Sequence, residues 1–221
     1  MFGALLDYLR QWRCFFLLIA MLLLLVTIAF TETSPFGRLL VGLFNLVVLV
    51  AAIAVVARTR IHAYVAILLG LPVIGLQLRA LQSPGLAHVA QFYALAAVFY
   101  LMAIVELMQY VLRRDRITAD KLYGAVAAYI MLAILWALFY GVIEYFYPGS
   151  YAAAGTTRRL DFAELVYFSF SVLTTSGFGD ITPQLMQARF VAIFEQIVGV
   201  MYVAILIARL TGVYPIVNRE D

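Results

Sequence analysis

The chain has 221 residues, of which 66% are hydrophobic and 12% are charged, and its net charge is +3. This composition lies outside the range of soluble globular domains and predicts an all-α membrane protein. The charges sit in short clusters, which argues against a nucleic-acid partner, and a single cysteine, Cys14, excludes a disulfide framework or a thiolate metal site within one chain.

Six apolar segments are long enough to cross a bilayer, which needs about 20 mainly apolar residues. They are residues 14–30, 39–57, 62–79, 88–112, 122–147 and 188–210. Residues 1–13 alternate apolar and polar positions and predict a short helix in the cytoplasmic interface. No small-residue cleavage pattern follows the first segment, so we interpret it as a retained helix and not as a signal peptide. The third segment contains Gly70, Pro72 and Gly75 and is expected to bend.

The positive charges predict the orientation of the chain. On one side lie Arg10, Arg13, Arg58, Arg60, Arg113, Arg114, Arg116, Lys121, Arg209 and Arg219, and on the other lie Arg38, Arg79, Arg158, Arg159 and Arg189. By the positive-inside rule both termini are expected to be cytoplasmic, in a multi-pass protein of the plasma or inner membrane. The chain then divides into a four-helix domain (1–121), a helix–pore loop–helix domain (122–212) and a short cytoplasmic tail (213–221).

The fourth segment does not have the charges of a voltage sensor. Residues 88–112 contain no arginine or lysine, and their one formal charge is Glu106. Steep voltage dependence uses three or four gating charges in each subunit. With Gln109 and Arg113, Glu106 falls on one helical face, which favours a packed polar contact. We therefore expect the first four helices to be a packing or regulatory scaffold.

Between the fifth and sixth segments the composition changes abruptly. A polar stretch containing Arg158 and Arg159 predicts an extracellular turret. Asp161 then stands at an N-cap position with Glu164 three residues later, which resembles a capping box and predicts the start of a helix. This helix has only about a dozen residues, too few to cross a bilayer, and it leads into a glycine-containing loop that ends near Pro183. The pattern predicts a re-entrant loop.

Residues 167–183 read Tyr-Phe-Ser-Phe-Ser-Val-Leu-Thr-Thr-Ser-Gly-Phe-Gly-Asp-Ile-Thr-Pro and resemble the pore helix and selectivity filter of the tetrameric potassium channels. The resemblance covers about residues 122–212, whereas residues 1–121 share with the family only the presence of four preceding helices. It implies that K⁺ binds to the carbonyls of Thr175, Ser176, Gly177 and Phe178 and to the Thr175 hydroxyl, while Gly177 and Gly179 supply backbone freedom. The family usually has Val in place of Ser176 and Tyr in place of Phe178.

The chemistry of potassium supports this interpretation. A dehydrated ion needs a ring of oxygens to replace its water, and stacked carbonyls supply it if alternating glycines turn the chain toward one axis. The carboxyl end of the short helix would favour a cation in a cavity below, and Asp180 would add negative charge at the outer mouth. We expect the ring of Phe178 to pack outward against Tyr167 and Phe168.

Other polar residues near this loop are candidates for filter support. Glu195 lies in the sixth segment, where a carboxylate is costly. Four copies of Glu195 could ring a cavity, or the carboxyl could bond behind the filter to hydroxyls such as that of Ser171, which we favour. Thr174, at the start of the filter segment (residues 174–180), is a further candidate. Gly199 is either a hinge of the sixth helix or a close-packing point.

The sequence therefore predicts a potassium-selective channel that assembles as a homotetramer in the lipid bilayer, with K⁺ as the permeant ion and no cofactor. A weakly selective cation channel, permitted by Ser176, is the alternative within this class. A non-conducting membrane scaffold or a membrane-embedded enzyme is the alternative from another class. The motifs of common hydrolase and nucleotide-binding sites do not occur, which favours a protein that is not an enzyme.

Overall fold

A computed structural model of the chain describes residues 12–31, 35–56, 60–82, 86–113 and 118–212. These ranges contain seven helices and three short strands. In chain order they are α1 (Arg13–Thr31), α2 (Pro35–Val56), α3 (Arg60–Gln82), α4 (Leu86–Val111), α5 (Ala119–Phe146), β1 (Tyr151–Ala153), β2 (Thr156–Thr157), α6 (Phe162–Leu173), β3 (Ile181–Pro183) and α7 (Met186–Thr211). The predicted tail, and the predicted interfacial helix except for its last two residues, lie outside the described ranges.

Four helices have the length and apolar composition of membrane spans, and the protein is a membrane protein. They are α1, α4, α5 and α7, with candidate spans at Arg13–Phe30, Ala87–Val111, Ala119–Phe146 and Met186–Arg209. Helices occupy the other two predicted positions as well, but the apolar parts of α2 and α3 are shorter, at Leu39–Val55 and Ala66–Arg79. Helix α3 continues through Pro72. The number of six spans remains a prediction.

Helix α5 lies at the centre of the described structure. It packs against α1, α4, α6 and α7, while α2 and α3 pack on the far side of α1 and α4. About 67% of the apolar window of α5 is buried, compared with 17% for α7. Helix α7 therefore has a long apolar surface that the other described residues do not cover.

A polar network joins the outer helices α2, α3 and α4. The Asn45 side-chain amide donates to Gln77 Oε1 at 3.0 Å, and the Gln77 amide donates to the Gly42 carbonyl at 2.6 Å. The Tyr100 hydroxyl donates to Asn45 Oδ1 at 3.3 Å. Hydrogen bonds between helices satisfy amides that would otherwise face hydrocarbon. The network links the three helices with polar contacts that carry no net charge.

The end of α7 and the start of α1 form hydrogen bonds with residues near the end of α4 and the start of α5. The Arg113 carbonyl accepts hydrogen bonds from Lys121 Nζ, at 3.3 Å, and from the Arg209 guanidinium near the end of α7. Asp120, buried in the first turn of α5, accepts the backbone N–H of Cys14 at 3.0 Å. The end of α7 is thus attached to Arg113, just after α4, and the start of α1 is attached to the first turn of α5.

Candidate functional site

The short helix α6 begins where the sequence predicts. Asp161 Oδ1 accepts the backbone N–H of Glu164 at 2.8 Å, and Glu164 Oε2 accepts that of Asp161 at 3.0 Å, which completes a capping box. The Arg158 guanidinium bonds to both carboxylate oxygens of Glu164 and lowers the pKa of that carboxyl. Helix α6 has 12 residues and a length of about 18 Å, shorter than the hydrocarbon core of a bilayer.

A small antiparallel sheet brings the two ends of the loop together. Strand β1 follows α5, strand β3 follows the filter segment, and the strands pair with Tyr151 opposite Pro183 and Ala153 opposite Ile181. The Ala154 N–H also donates to the Asp180 carbonyl at 2.9 Å. The chain therefore leaves and returns at the same end of α5 and α7, as a re-entrant loop requires.

The backbone of the filter segment alternates in handedness. Thr175, Gly177 and Gly179 have φ angles of +59°, +58° and +82°, and the residues between them do not have positive φ. An alternating sign of φ turns successive carbonyls toward one side, whereas an extended strand points them alternately to both. A β-branched residue with positive φ is a strained outlier, and such strain is concentrated at functional sites. Thr175 is such a residue.

The carboxyl end of α6 is fully hydrogen-bonded within the chain. The last four carbonyls of a helix lack partners inside it. Here each one has a partner from the filter segment or from α5. The carbonyls of Phe170, Ser171 and Val172 accept the N–H groups of Thr174 (3.0 Å), Gly177 (3.1 Å) and Thr175 (2.9 Å), respectively. The Leu173 carbonyl accepts the Tyr129 hydroxyl of α5 at 3.3 Å. These bonds hold the filter segment against the helix, and Ser171 takes part through its backbone carbonyl.

Two hydroxyls lie together beside this helix end. Thr174 Oγ1 donates to the Phe170 carbonyl at 2.7 Å and lies 2.9 Å from Ser176 Oγ. A hydroxyl has one hydrogen, and that of Thr174 is already donated, so Ser176 donates to Thr174. The Ser176 side chain is thereby held toward the helix end, and Thr174 links it to α6.

The aromatic residues next to the filter segment face two directions. The ring of Phe178 stacks on that of Tyr167 with centroids 6.1 Å apart. The Tyr167 hydroxyl hydrogen-bonds to the Asp180 carboxylate, which raises the pKa of Tyr167. Phe168, also expected beside Phe178, instead pairs with Tyr140 on α5 at 5.0 Å. The reason is helical geometry, because consecutive residues point about 100° apart.

We expect Phe178→Tyr to be tolerated. Tyrosine keeps the aromatic ring that stacks on Tyr167, and the backbone carbonyl at this position is unaffected by the change. Ion permeability ratios measured in planar bilayers should be close to those of the unmodified protein. Phe178→Ala, which removes the ring that stacks on Tyr167, is the contrasting variant and should reduce conduction. Equal behaviour of the two variants would contradict a packing role for the ring.

Two contacts, one helical turn apart, join α6 to α7. Glu195 is fully buried and bonds to the hydroxyls of Ser169, at 2.5 Å, and Tyr140. One turn further along both helices, Gly199 lies against Leu173, where an added Cβ would overlap the Leu173 carbonyl. Glu195 thus bonds behind α6 as expected, but its partner is Ser169 and not Ser171. At Gly199 the geometry is that of a close-packing point.

Sequence reasoning did not identify the contributions of α5. Tyr129 and Tyr140 lie about three helical turns apart and therefore on one face of α5. They donate to the Leu173 carbonyl and to Glu195, respectively. The sequence did contain an indication of these contacts, because a carboxyl group in a membrane helix is costly and requires hydroxyl donors on neighbouring helices. A search for tyrosines on one face of α5 would have found both.

Comparison with known families identifies this part of the chain. Residues 128–214 match the family model described as "Ion channel". The match contains most of α5, all of α6, the filter segment and α7. It confirms the resemblance to the potassium channel pore family over this range. No curated protein and no solved structure gives a significant match.

Proposed function

We propose that the chain, whose residues 128–214 match an ion channel family, is a potassium-selective channel that conducts K⁺ passively as a homotetramer. The observation that carries this proposal is the backbone of residues 175–179. Positive φ at every second residue, together with carbonyls of α6 that hold the loop in place, supports a row of oxygens directed toward one axis. The carbonyls of Thr175, Ser176, Gly177 and Phe178 would coordinate the ion, and Gly179 would close the row.

A fourfold assembly explains the surfaces that one chain leaves open. Residues 174–180 are all exposed in the single chain, as is most of the apolar surface of α7. Each chain supplies one filter strand, and a closed ring of carbonyls around one ion path needs four. In this arrangement α7 lines the pore, α1–α4 lie outside it, and both termini are cytoplasmic. Native mass spectrometry that shows a dimer or trimer as the conducting species would contradict the tetramer.

The direct test is a reversal potential measured with purified protein in planar bilayers under a potassium/sodium gradient. We expect a reversal potential close to the potassium equilibrium potential, and block by Ba²⁺. A value between the potassium and sodium potentials would favour the weakly selective channel, for which the polar Ser176 is the specific observation. The absence of any current from correctly assembled protein would favour a non-conducting scaffold.

We expect the conductance of the channel to depend only weakly on voltage. Residues 88–112 carry no positive charge, and the polar network of Asn45, Gln77 and Tyr100 that joins α2–α4 is uncharged. One charge moved through the whole field is worth about 2.3 kcal/mol per 100 mV, so a fourth helix whose one formal charge is Glu106 gains little from it. A conductance–voltage curve in planar bilayers should be shallow. An effective gating charge of several elementary units per channel would contradict this prediction.

A further inference from the structure

The carboxyl group of Glu195 lies among three elements of the pore domain, and its protonation state follows from its surroundings. Its Oε1 lies 2.5 Å from the hydroxyl oxygen of Ser169 on α6, and its Oε2 accepts the hydroxyl of Tyr140 on α5. All three side chains are fully buried. Among the described residues, no arginine or lysine is within ion-pair distance of Glu195. A charge buried without a counter-ion is strongly unfavourable.

The count of hydrogens at Ser169 leads to the same conclusion independently. Its oxygen lies 2.7 Å from the Ala133 carbonyl and 2.5 Å from Glu195 Oε1. A serine hydroxyl has only one hydrogen to donate. If Glu195 were ionised, one of these short contacts would join two oxygens with no hydrogen between them. A hydrogen on Glu195 Oε1 resolves the conflict, because Glu195 then donates to Ser169, and Ser169 donates to Ala133.

We propose that Glu195 is a neutral carboxylic acid and that it positions the filter by joining α6 to both α5 and α7. The Tyr140 hydroxyl donates to Glu195, and the protonated Glu195 donates to Ser169. Ser169 in turn donates to the Ala133 carbonyl on α5. Ser169 lies one helical turn before Leu173, whose carbonyl is held by Tyr129 and abuts Gly199. The acid therefore fixes the helix whose end holds the filter segment. In the proposed tetramer the four copies add no ring of negative charge to the ion path. This role rests on the proposed function, whereas the protonation state does not.

Infrared spectroscopy of the purified protein tests the protonation state directly. We expect the spectrum of the unmodified protein minus that of Glu195→Gln at neutral pH to contain the C=O stretching band of a protonated carboxyl group. Glu106→Gln removes a different glutamate, on α4, and its difference spectrum shows whether the band belongs to position 195. If Glu195→Gln removes a carboxylate band and no protonated band, the proposal is wrong, whether or not the protein conducts.

The positioning role is tested with two variants in planar bilayers. Glutamine at position 195 reproduces the neutral acid, since its oxygen accepts from Tyr140 and its amide donates to Ser169. We expect Glu195→Gln to keep the thermal stability, and to keep the conductance and the K⁺/Na⁺ permeability ratio within about twofold. Glu195→Ala should lower the permeability ratio at least tenfold, or prevent assembly.

The opposite results would overturn the proposal. If Glu195→Gln fails to assemble, or if its conductance falls several-fold, the negative charge is required. If Glu195→Ala keeps the permeability ratio of the unmodified protein, the carboxyl group does not position the filter. A protein that shows the protonated band at position 195 but passes no K⁺ would contradict the proposed function and leave the protonation state established.

Discussion

Gly179→Ala is expected to abolish potassium-selective conduction. Gly179 has a φ angle of +82°, and a Cβ added there would meet nothing closer than the Gly177 carbonyl at 3.9 Å. The cost of alanine therefore comes from the backbone conformation, at about 1–2 kcal/mol for each residue with left-handed geometry. In a tetramer this amounts to about 4–8 kcal/mol at one level of the pore. A loop that relieves this strain would turn its carbonyls away from the ion path. The measurement is the K⁺/Na⁺ permeability ratio in planar bilayers, which should fall at least tenfold.

The turn between β1 and β2 provides a matched control for this variant. Gly155 has a φ angle of +77° and also has no neighbour within 4 Å of an added Cβ. Gly155→Ala therefore introduces similar strain into each subunit, outside the filter segment. We expect it to lower stability slightly and to leave the permeability ratio unchanged. Equal ratios in Gly179→Ala and the unmodified protein would show that the filter does not depend on this backbone geometry.

Gly199→Ala is expected to separate α6 from α7. The added Cβ would overlap the Leu173 carbonyl and lie 3.0 Å from Leu173 Cδ1. Leu173 cannot move aside easily, because its carbonyl accepts the Tyr129 hydroxyl and the filter segment begins at the next residue. Overpacking of this kind costs about 1–3 kcal/mol and occasionally more, here once in every subunit. We expect a lower thermal unfolding temperature and loss of potassium flux into liposomes.

Gly75→Ala is the control for Gly199→Ala. Gly75 also lies inside a helix, α3, and a Cβ added there would meet nothing within 4 Å. Alanine is the better helix former by about 1 kcal/mol, so Gly75→Ala should be neutral or slightly stabilising. A hinge at Gly199 would give a different result from close packing. The Gly199→Ala protein would then keep its stability, and only its open probability would change.

The start of α6 was predictable because local chemistry determines it. Asp161 and Glu164 stand three residues apart, and a capping box needs no information from the rest of the fold. Gly177 and Gly179, to which the resemblance assigns backbone freedom, have positive φ angles. These features depend on a few consecutive residues, so the sequence was sufficient.

The partners of Glu195 were not predictable in the same way. Ser169 and Ser171 are both buried hydroxyls of α6, and the choice between them depends on the rotation of α6 against α7. The Gly199 and Leu173 contact one turn away restricts that rotation, and the sequence indicates Gly199 as a packing point without indicating that its partner is the Leu173 backbone carbonyl. The positive φ of Thr175 was also not predicted, because β-branched residues rarely adopt it. Long-range packing determined each of these details.

The polar network of the outer helices bears on how the chain is made. Helix α3 has a short apolar part, contains Pro72, and places the Gln77 amide within the helix. Alone in lipid that amide would have no partner, whereas beside α2 it bonds to Asn45 and to the Gly42 carbonyl. We therefore expect α3 to be a poor substrate for the insertion machinery by itself and to enter the bilayer as a hairpin with α2.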